Sequence, residues 1–168
     1  AKVDAWLAEP VADEYRVFVR KLLRLKPHVL SEAEERLLAL QAEANETASE
    51  AFSVLTNVDI DFGTVDTPEG PKPLSQSAYS SFMQNPDRAV REAAYRKFYA
   101  AFDGHKNTIA TLYSGSCKLD KYRATVRKYP SARGAALFPD DVSEAVYDNL
   151  VKTVNANLPT LHKYYEIR

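Results

Sequence analysis

From Asn85-Pro86-Asp87 onward, Val90, Ala94, Phe98, Ala101, His105, Ile109, Leu112, Ser116 and Leu119 recur at steps of three or four residues. Such steps place side chains on one stripe of an α-helix, because 3.6 residues complete a turn. Kept up for about 30 residues, the stripe predicts one nearly unbroken helix whose apolar side is wide enough to lie against two or more neighbouring helices. A mostly all-α fold is expected, with this helix as its spine and Phe98, Phe102 and Ile109 covered.

The punctuation agrees. Only five glycines occur in 168 residues, and Pro27, Pro86, Pro139 and Pro159 stand where periodic apolar stretches begin or end. Tyr15, Phe18, Val19, Leu22 and Leu25 form one stripe closed by Lys26-Pro27. Ser31 and Glu34 have the spacing of a capping box, and Leu37, Leu40, Ala44, Ala48, Ala51, Phe52 and Leu55 continue it as one element of about 25 residues. Ser75 or Ser77 is placed to cap a helix bearing Tyr79 and Phe82. After a break at Tyr129-Pro130-Ser131, Pro139-Asp140-Asp141 reads as a helix N-terminus, since acidic residues suit the positive end of the helix dipole. Val142, Ala145, Val146, Leu150 and Val154 are its expected buried face. Leu158-Pro159 is expected to interrupt it, with Thr160 opening another helix.

Between Asn57 and Phe62 the rhythm drops to two. Val58, Ile60 and Phe62 alternate with Asp59 and Asp61, as in a half-buried strand. Gly63, Pro68, Gly70, Pro71 and Pro73 follow at once, so one small β-hairpin, or a strand with an exposed loop, is expected near residues 57–73.

Composition narrows the function. Lys+Arg 22 against Asp+Glu 23 gives a net charge of -1, which argues against a nucleic-acid partner even for the basic stretch at 118–133 with its Tyr122 and Tyr129. No apolar run approaches the roughly 18 to 20 residues of a membrane helix, and Ala1-Lys2-Val3-Asp4 lacks a signal peptide's apolar core, so no membrane partner is expected. A lone cysteine, Cys117, has no partner for an internal disulfide, which suits a reducing, cytoplasmic compartment. At this size and hydrophobic content, residues 1–168 are expected to form a single lobe around one core. Six acids and one base fall in residues 31–50, and six bases and one acid in 118–133. The two blocks either face each other or are solvated helix faces.

The chemistry-bearing residues do not assemble into a motif. A zinc peptidase helix needs two histidines four residues apart with a glutamate after the first. His28, His105 and His162 lie more than fifty residues apart, and each is followed by Val or Lys. His105 on the apolar stripe is expected to be a hydrogen-bonded core residue, and His28 and His162 structural. Asn57-Val58-Asp59-Ile60-Asp61 has alternating oxygen ligands like a calcium loop, but Phe62 and Pro68 stand where a glycine and a carboxylate are needed. Asp59 and Asp61 are expected to face water. Ser114-Gly115-Ser116-Cys117 offers nucleophiles without a neighbouring base, so these small residues are read as letting another helix approach, and Cys117 as a packed thiol. Asn45-Glu46-Thr47 matches a glycosylation acceptor but falls within a helical stretch.

Taken in order, several segments are familiar. They are Leu25-Lys26-Pro27-His28-Val29-Leu30-Ser31 with Glu34-Glu35; Phe52-Ser53-Val54-Leu55-Thr56-Asn57-Val58-Asp59-Ile60-Asp61-Phe62; Asp87-Arg88-Ala89-Val90-Arg91-Glu92-Ala93-Ala94; Lys106-Asn107-Thr108-Ile109-Ala110; Tyr122-Arg123 with Lys128-Tyr129-Pro130-Ser131-Ala132; and Val146-Tyr147-Asp148-Asn149-Leu150 with Leu158-Pro159-Thr160-Leu161-His162-Lys163-Tyr164-Tyr165. Together they resemble the N-terminal half of oligoendopeptidase F, a thimet-oligopeptidase-like zinc metallopeptidase, over nearly the whole chain.

The resemblance implies a helical N-terminal lobe that packs over a catalytic lobe and helps enclose a channel for short peptides. Members of the family place His-Glu-x-x-His and a further Glu ligand later in a much longer chain, where a zinc-bound water attacks the peptide carbonyl with Glu as general base. No position in residues 1–168 corresponds to any of these. The chain is therefore expected to contribute no catalytic residue and no metal ligand, zinc belongs to the full-length protein, and the substrate-binding residues are not assigned. The alternative is a stand-alone helical module that binds peptide or protein. Arg168 is what a trypsin-like protease leaves behind, so the parent chain is expected to continue into the missing catalytic lobe. Leu161 and Tyr165 would then have lost their natural cover, leaving a face for a homodimer or a crystal contact.

Overall fold

The computed structural model describes residues 2–167, the side chains of Lys2 and Asp4 apart. Ala1 and Arg168, and with them the expected cut after Arg168, lie outside the described residues. The described residues form ten α-helices and one two-stranded antiparallel sheet. They are α1 (Lys2–Leu7), α2 (Arg16–Leu25), α3 (Glu32–Leu40), α4 (Ala42–Asn45), α5 (Thr47–Val54), β1 (Thr64–Thr67), β2 (Gly70–Pro73), α6 (Gln76–Met83), α7 (Arg88–Gly104), α8 (Lys106–Val126), α9 (Ala132–Leu137) and α10 (Glu144–Ile167). No helix is long and apolar enough to cross a membrane. Residues 38–119 form one compact unit, and residues 1–37 with 120–168 form another.

The first unit holds the buried core. Ile60, Phe62, Val65, Leu74, Phe82, Val90 and Ala94 pack together, with Tyr79, Phe98, Ala101 and Phe102 against them. Phe62 and Phe98 stack with centroids 4.9 Å apart, and Tyr79 stacks on Phe98 at 4.2 Å. The hairpin pairs Val65 with Lys72 and Thr67 with Gly70. This register sends Val65, fully buried, into the core. Gly70 takes φ +109° at the end of the turn, where a side chain would be strained. Pro71 and Pro73 have no N–H to offer, which blunts that edge of the sheet against foreign strands. Ser75 caps α6 through the Ala78 N–H, and Asp87 caps α7 through the Ala89 N–H.

The hairpin lies within the expected interval, but the alternating stretch at 57–62 is not one of its strands. Residues 55–59 form one π-helical turn, closed by the Ile60 N–H donating to the Leu55 carbonyl at 2.9 Å, and the strands begin only at Thr64. The wide turn is held from inside. Thr56, buried, donates its hydroxyl to the Phe52 carbonyl, and Gln76 donates Nε2 to the Thr56 carbonyl at 2.7 Å. Ile60 and Phe62 still reach the core while Val58 stays exposed. Alternation was therefore right for two residues and wrong for the third.

The expected spine is two helices. At its midpoint the His105 ring takes the Ala101 carbonyl that its own amide would have used, while the amide turns to Phe102, and His105 leaves helical geometry at φ -112°, ψ 9°. The preceding Gly104 lowers the cost of the break. Phe98, Phe102 and Ile109 are all half-buried, and Val90 and Ala94 are fully covered. The expected 25-residue element after Ser31 is likewise divided into α3, α4 and α5. Its capping box is present: the Ser31 N–H donates to Glu34 Oε2 at 2.9 Å and the Glu34 N–H to Ser31 Oγ at 3.4 Å. At the break before α5 the Thr47 hydroxyl occupies the Ala44 carbonyl, a side-chain bond that competes with the helix ladder.

In the second unit, α2, the first part of α3, the end of α8, α9 and α10 gather around a polar and aromatic cluster. Pro139 does not start a helix. Residues 138–140 make a 3-10 turn, Asp141 follows at φ +59°, and α10 begins at Glu144. Nor does Pro159 end one, since α10 runs through it. The face expected to be buried there is open: Val146, Leu150 and Val154 are 59%, 59% and 52% exposed.

Candidate functional site

The three histidines sit on separate elements. His28 ends the turn after α2, with its ring 3.7 Å from that of Tyr129 in a parallel stack, edge-on to Phe138, and its Nδ1 2.7 Å from the Arg127 carbonyl. His105 is tied to the Ala101 carbonyl at 2.9 Å, and His162 lies exposed on α10. Among the described residues no three His, Cys, Asp or Glu side chains come together as a metal site would require. Lying on separate elements, the imidazoles do not gather into a zinc donor set among the described residues.

Around His28 a residue of the acidic block meets one of the basic block. Arg127 forks onto Glu35, Nη1 to Oε1 and Nη2 to Oε2, both at 2.9 Å, and Nη1 also reaches the His28 carbonyl. Glu35 further accepts from the Leu30 N–H. The bond from Arg127, then that from Leu30, holds the Glu35 carboxyl below the usual carboxylate range. Arg24 lies over the Phe138 ring, donates to its carbonyl at 2.7 Å and pairs with Asp141 at 2.9 Å. Every strong donor here is spent inside the chain, which makes the cluster a clasp between segments distant in sequence. The rest of both charged blocks is largely exposed.

Residues 114–117 lie inside α8. A Cβ built on Gly115 would meet Ala48 Cβ of α5 at 3.7 Å, an ordinary van der Waals distance that a side chain there would tolerate. Cys117, expected to be packed, is exposed. Its thiol, beside the Tyr113 hydroxyl, is the leading cause of the upward shift of the Tyr113 phenol. Asp59 and Asp61 face water as expected, and Asp61 Oδ1 accepts from the Gly63 N–H at 2.7 Å.

The concave surface lies elsewhere in residues 38–119, along one side of α7 and α8. A hollow of about 430 Å³ opens beside Arg88, Arg91, Glu92, Tyr95 and Arg96. Tyr95 touches Tyr99 at 4.7 Å between centroids. Tyr99 then walls a shallow hollow of about 580 Å³ with Phe102, Lys106, Ile109 and Tyr113. Ile109 and Tyr113 are shared with a third, apolar groove of about 320 Å³ against Ala48 and Phe52 of α5. Tyr95, Tyr99 and Tyr113 are 51%, 49% and 72% exposed. Tyr79 has its phenol pushed up, by burial first and then by its neighbours Tyr99 and Tyr95. The raised Tyr79 and Tyr113 phenols stay neutral near pH 7 and serve as donors or acceptors. The sequence carried a signal for this surface: residues 95, 99, 102, 106, 109 and 113 form a second helical stripe, offset from the core line of Val90, Ala94 and Phe98.

Comparison with known proteins places the chain. Residues 1–62 match the family described as Oligopeptidase F, and residues 81–168 match Peptidase family M3. The chain is 36% identical over 167 residues to an oligoendopeptidase F homolog of Borreliella burgdorferi, covering 99% of this chain and 28% of that one. It is 42% identical over 155 residues to oligopeptidase PepF of Bacillus subtilis, covering 92% of this chain and 23% of that one. The crystal structure of oligoendopeptidase-F from Enterococcus faecium superposes with a TM-score of 0.89 at 35% identity, over 100% of this chain and 34% of that one. This chain thus spans about a quarter of the length of the curated relatives it matches. It belongs to peptidase family M3, within which it resembles the N-terminal portion of oligoendopeptidase F.

Proposed function

We propose that this chain is the non-catalytic N-terminal lobe of a cytoplasmic, zinc-dependent oligopeptidase that hydrolyses short peptides, and that residues of the parent polypeptide outside it hold the metal. The observation that carries this reading is its surface. The chain exposes 13097 Å². A compact protein of its 18.8 kDa exposes about 8,300 Å², and even two separate globules of half that mass expose about 10,000 Å². The excess, about 3,000 Å² over even the two-globule value, is on the scale of a large permanent interface. Much of it is apolar, including Leu150, Val154, Leu161 and Tyr165 along α10. Large exposed apolar patches mark surfaces that another protein segment covers. A catalytic lobe of the same polypeptide is the proposed cover, since the relatives are several times longer. A lone, exposed Cys117 suits a cytoplasmic setting.

The test is reassembly. Residues 1–168 and the remainder of the parent polypeptide are produced separately and mixed. Cleavage of a quenched fluorescent peptide is expected from the mixture, abolished by chelators, and not from residues 1–168 by themselves. Chelator-sensitive turnover by the 168-residue chain alone would overturn the reading. Failure of the parent polypeptide to cleave any short peptide would favour a stand-alone binding module.

A further inference from the structure

The linked hollows on α7 and α8 have a polarity that the peptidase reading does not supply. One end gathers three guanidinium groups, Arg88, Arg91 and Arg96, around a single carboxylate, Glu92. Their commitments differ. Arg91 Nη1 is held by the Asn85 and Pro86 carbonyls at 2.6 and 2.8 Å. Arg96 is paired with Glu92 at 2.8 Å. Arg88, on the first turn of α7, makes no side-chain hydrogen bond or ion pair among the described residues. Away from this end the walls become aromatic, the only charges there being Asp103 and Lys106, which neutralise each other as an ion pair at 3.0 Å, and toward Phe52 and Leu112 no charged side chain lines them.

A surface that is cationic at one end and aromatic along its length fits one kind of occupant. We propose that this track binds an extended peptide with its free C-terminal carboxylate at Arg88, Arg91 and Arg96 and its apolar or aromatic side chains on Tyr95, Tyr99, Phe102 and Tyr113. This rests on the peptidase reading for the class of ligand; the orientation is new. A guanidinium presents paired N–H groups that match the two oxygens of a carboxylate, and the net positive charge of the hollow favours an anion. Tyrosine supplies broad contact at little conformational cost and tolerates varied side chains. Along the helices, Arg88 to Tyr113 spans at most about 37 Å. An extended chain covers that distance with about eleven residues, so a short peptide anchored at Arg88 cannot reach Tyr113.

Fluorescence anisotropy of the 168-residue chain tests this with dye-labelled peptides of five and twelve residues, rich in Leu and Phe, each as the free acid and as the C-terminal amide. The acid is expected to bind about tenfold more tightly than the amide. Arg88→Gln should bring the acid down to the amide, while Arg36→Gln on exposed α3 leaves both unchanged. Tyr113→Ser should weaken the twelve-residue acid and spare the five-residue one. Equal binding of acid and amide, equal weakening of both by Arg88→Gln, or no binding overturns the proposal. The same peptides are then offered to the full-length parent polypeptide. Cleavage without acid preference sinks the orientation and leaves the peptidase reading standing. An acid preference with no cleavage does the reverse.

Discussion

Arg127 and Glu35, ninety-two residues apart in sequence, meet as a two-pronged ion pair with both contacts at 2.9 Å. It joins the end of α8 to the first turns of α3, and through the His28 carbonyl to the turn after α2. Both side chains keep about a third of their surface in water, so the pair is worth less than a buried one. Its weight comes from position, since it closes a loop that spans the whole other unit.

Arg127→Ala removes both prongs and the bond to the His28 carbonyl. We expect the midpoint of thermal unfolding to fall by about 2–4 °C, read by circular dichroism. An unchanged midpoint would show that the Tyr129, Phe138 and His28 stack holds the corner unaided.

Acid should release the same clasp. Because Arg127 lowers the Glu35 pKa on folding, the pair contributes stability above the ordinary carboxylate range and loses it as pH falls through the lowered value. Between pH 6 and pH 3 the unfolding midpoint of the natural chain should drop more steeply than that of Glu35→Gln. Parallel curves for the two proteins would count against this assignment.

The π-turn at residues 55–59 separates two neighbours that an alternating strand would treat alike. Phe62→Ala should cost about 3–5 kcal/mol, because it empties a buried site stacked on Phe98 and tilted against Phe102. Val58→Ala, at a position 74% exposed, should stay within about 0.5 kcal/mol. Similar costs at both, measured by urea denaturation, would restore the strand.

Lys128 sits at φ +62° immediately after α8, where the Tyr129 N–H bonds the Ala124 carbonyl and the Lys128 N–H the Thr125 carbonyl. This is the glycine position of a Schellman C-cap. Lys128→Gly should raise stability by about 0.5–1 kcal/mol, the relief of left-handed strain outweighing the entropy of the unfolded glycine. A loss of stability would mean that the lysine side chain matters more than its backbone.

What could be read from the sequence was local chemistry. Ser31 and Glu34 reveal a capping box because both partners lie within one turn, and Asp87 reveals a helix start for the same reason. The break at His105 was hidden because the residue keeps the stripe's spacing; only the ring's capture of the Ala101 carbonyl gives it away. Pro159 misled in the opposite sense, since a proline in a long helix loses one ladder bond without ending the element. The exposure of Val146 and Leu150 was not legible either. Periodicity tells which residues share a face and is silent on whether that face is covered within the same chain. The tyrosine track was visible as spacing at residues 95, 99, 102 and 109, but its concavity depends on the offset of α5 from α8, which no local pattern encodes.

The division at Leu37 and Asp120 has a consequence for how the protein is made. Residues 38–119 are contiguous, so their core can close while the ribosome is still translating. Residues 1–37 leave the exit tunnel earlier yet must wait, because Arg127, Tyr129 and Phe138, their partners, are synthesised after the middle segment. Ribosome-bound chains arrested once residue 119 has emerged should resist protease across the middle segment while α2 is still cut. The helices before residue 38 thus precede the middle segment in synthesis and follow it in folding.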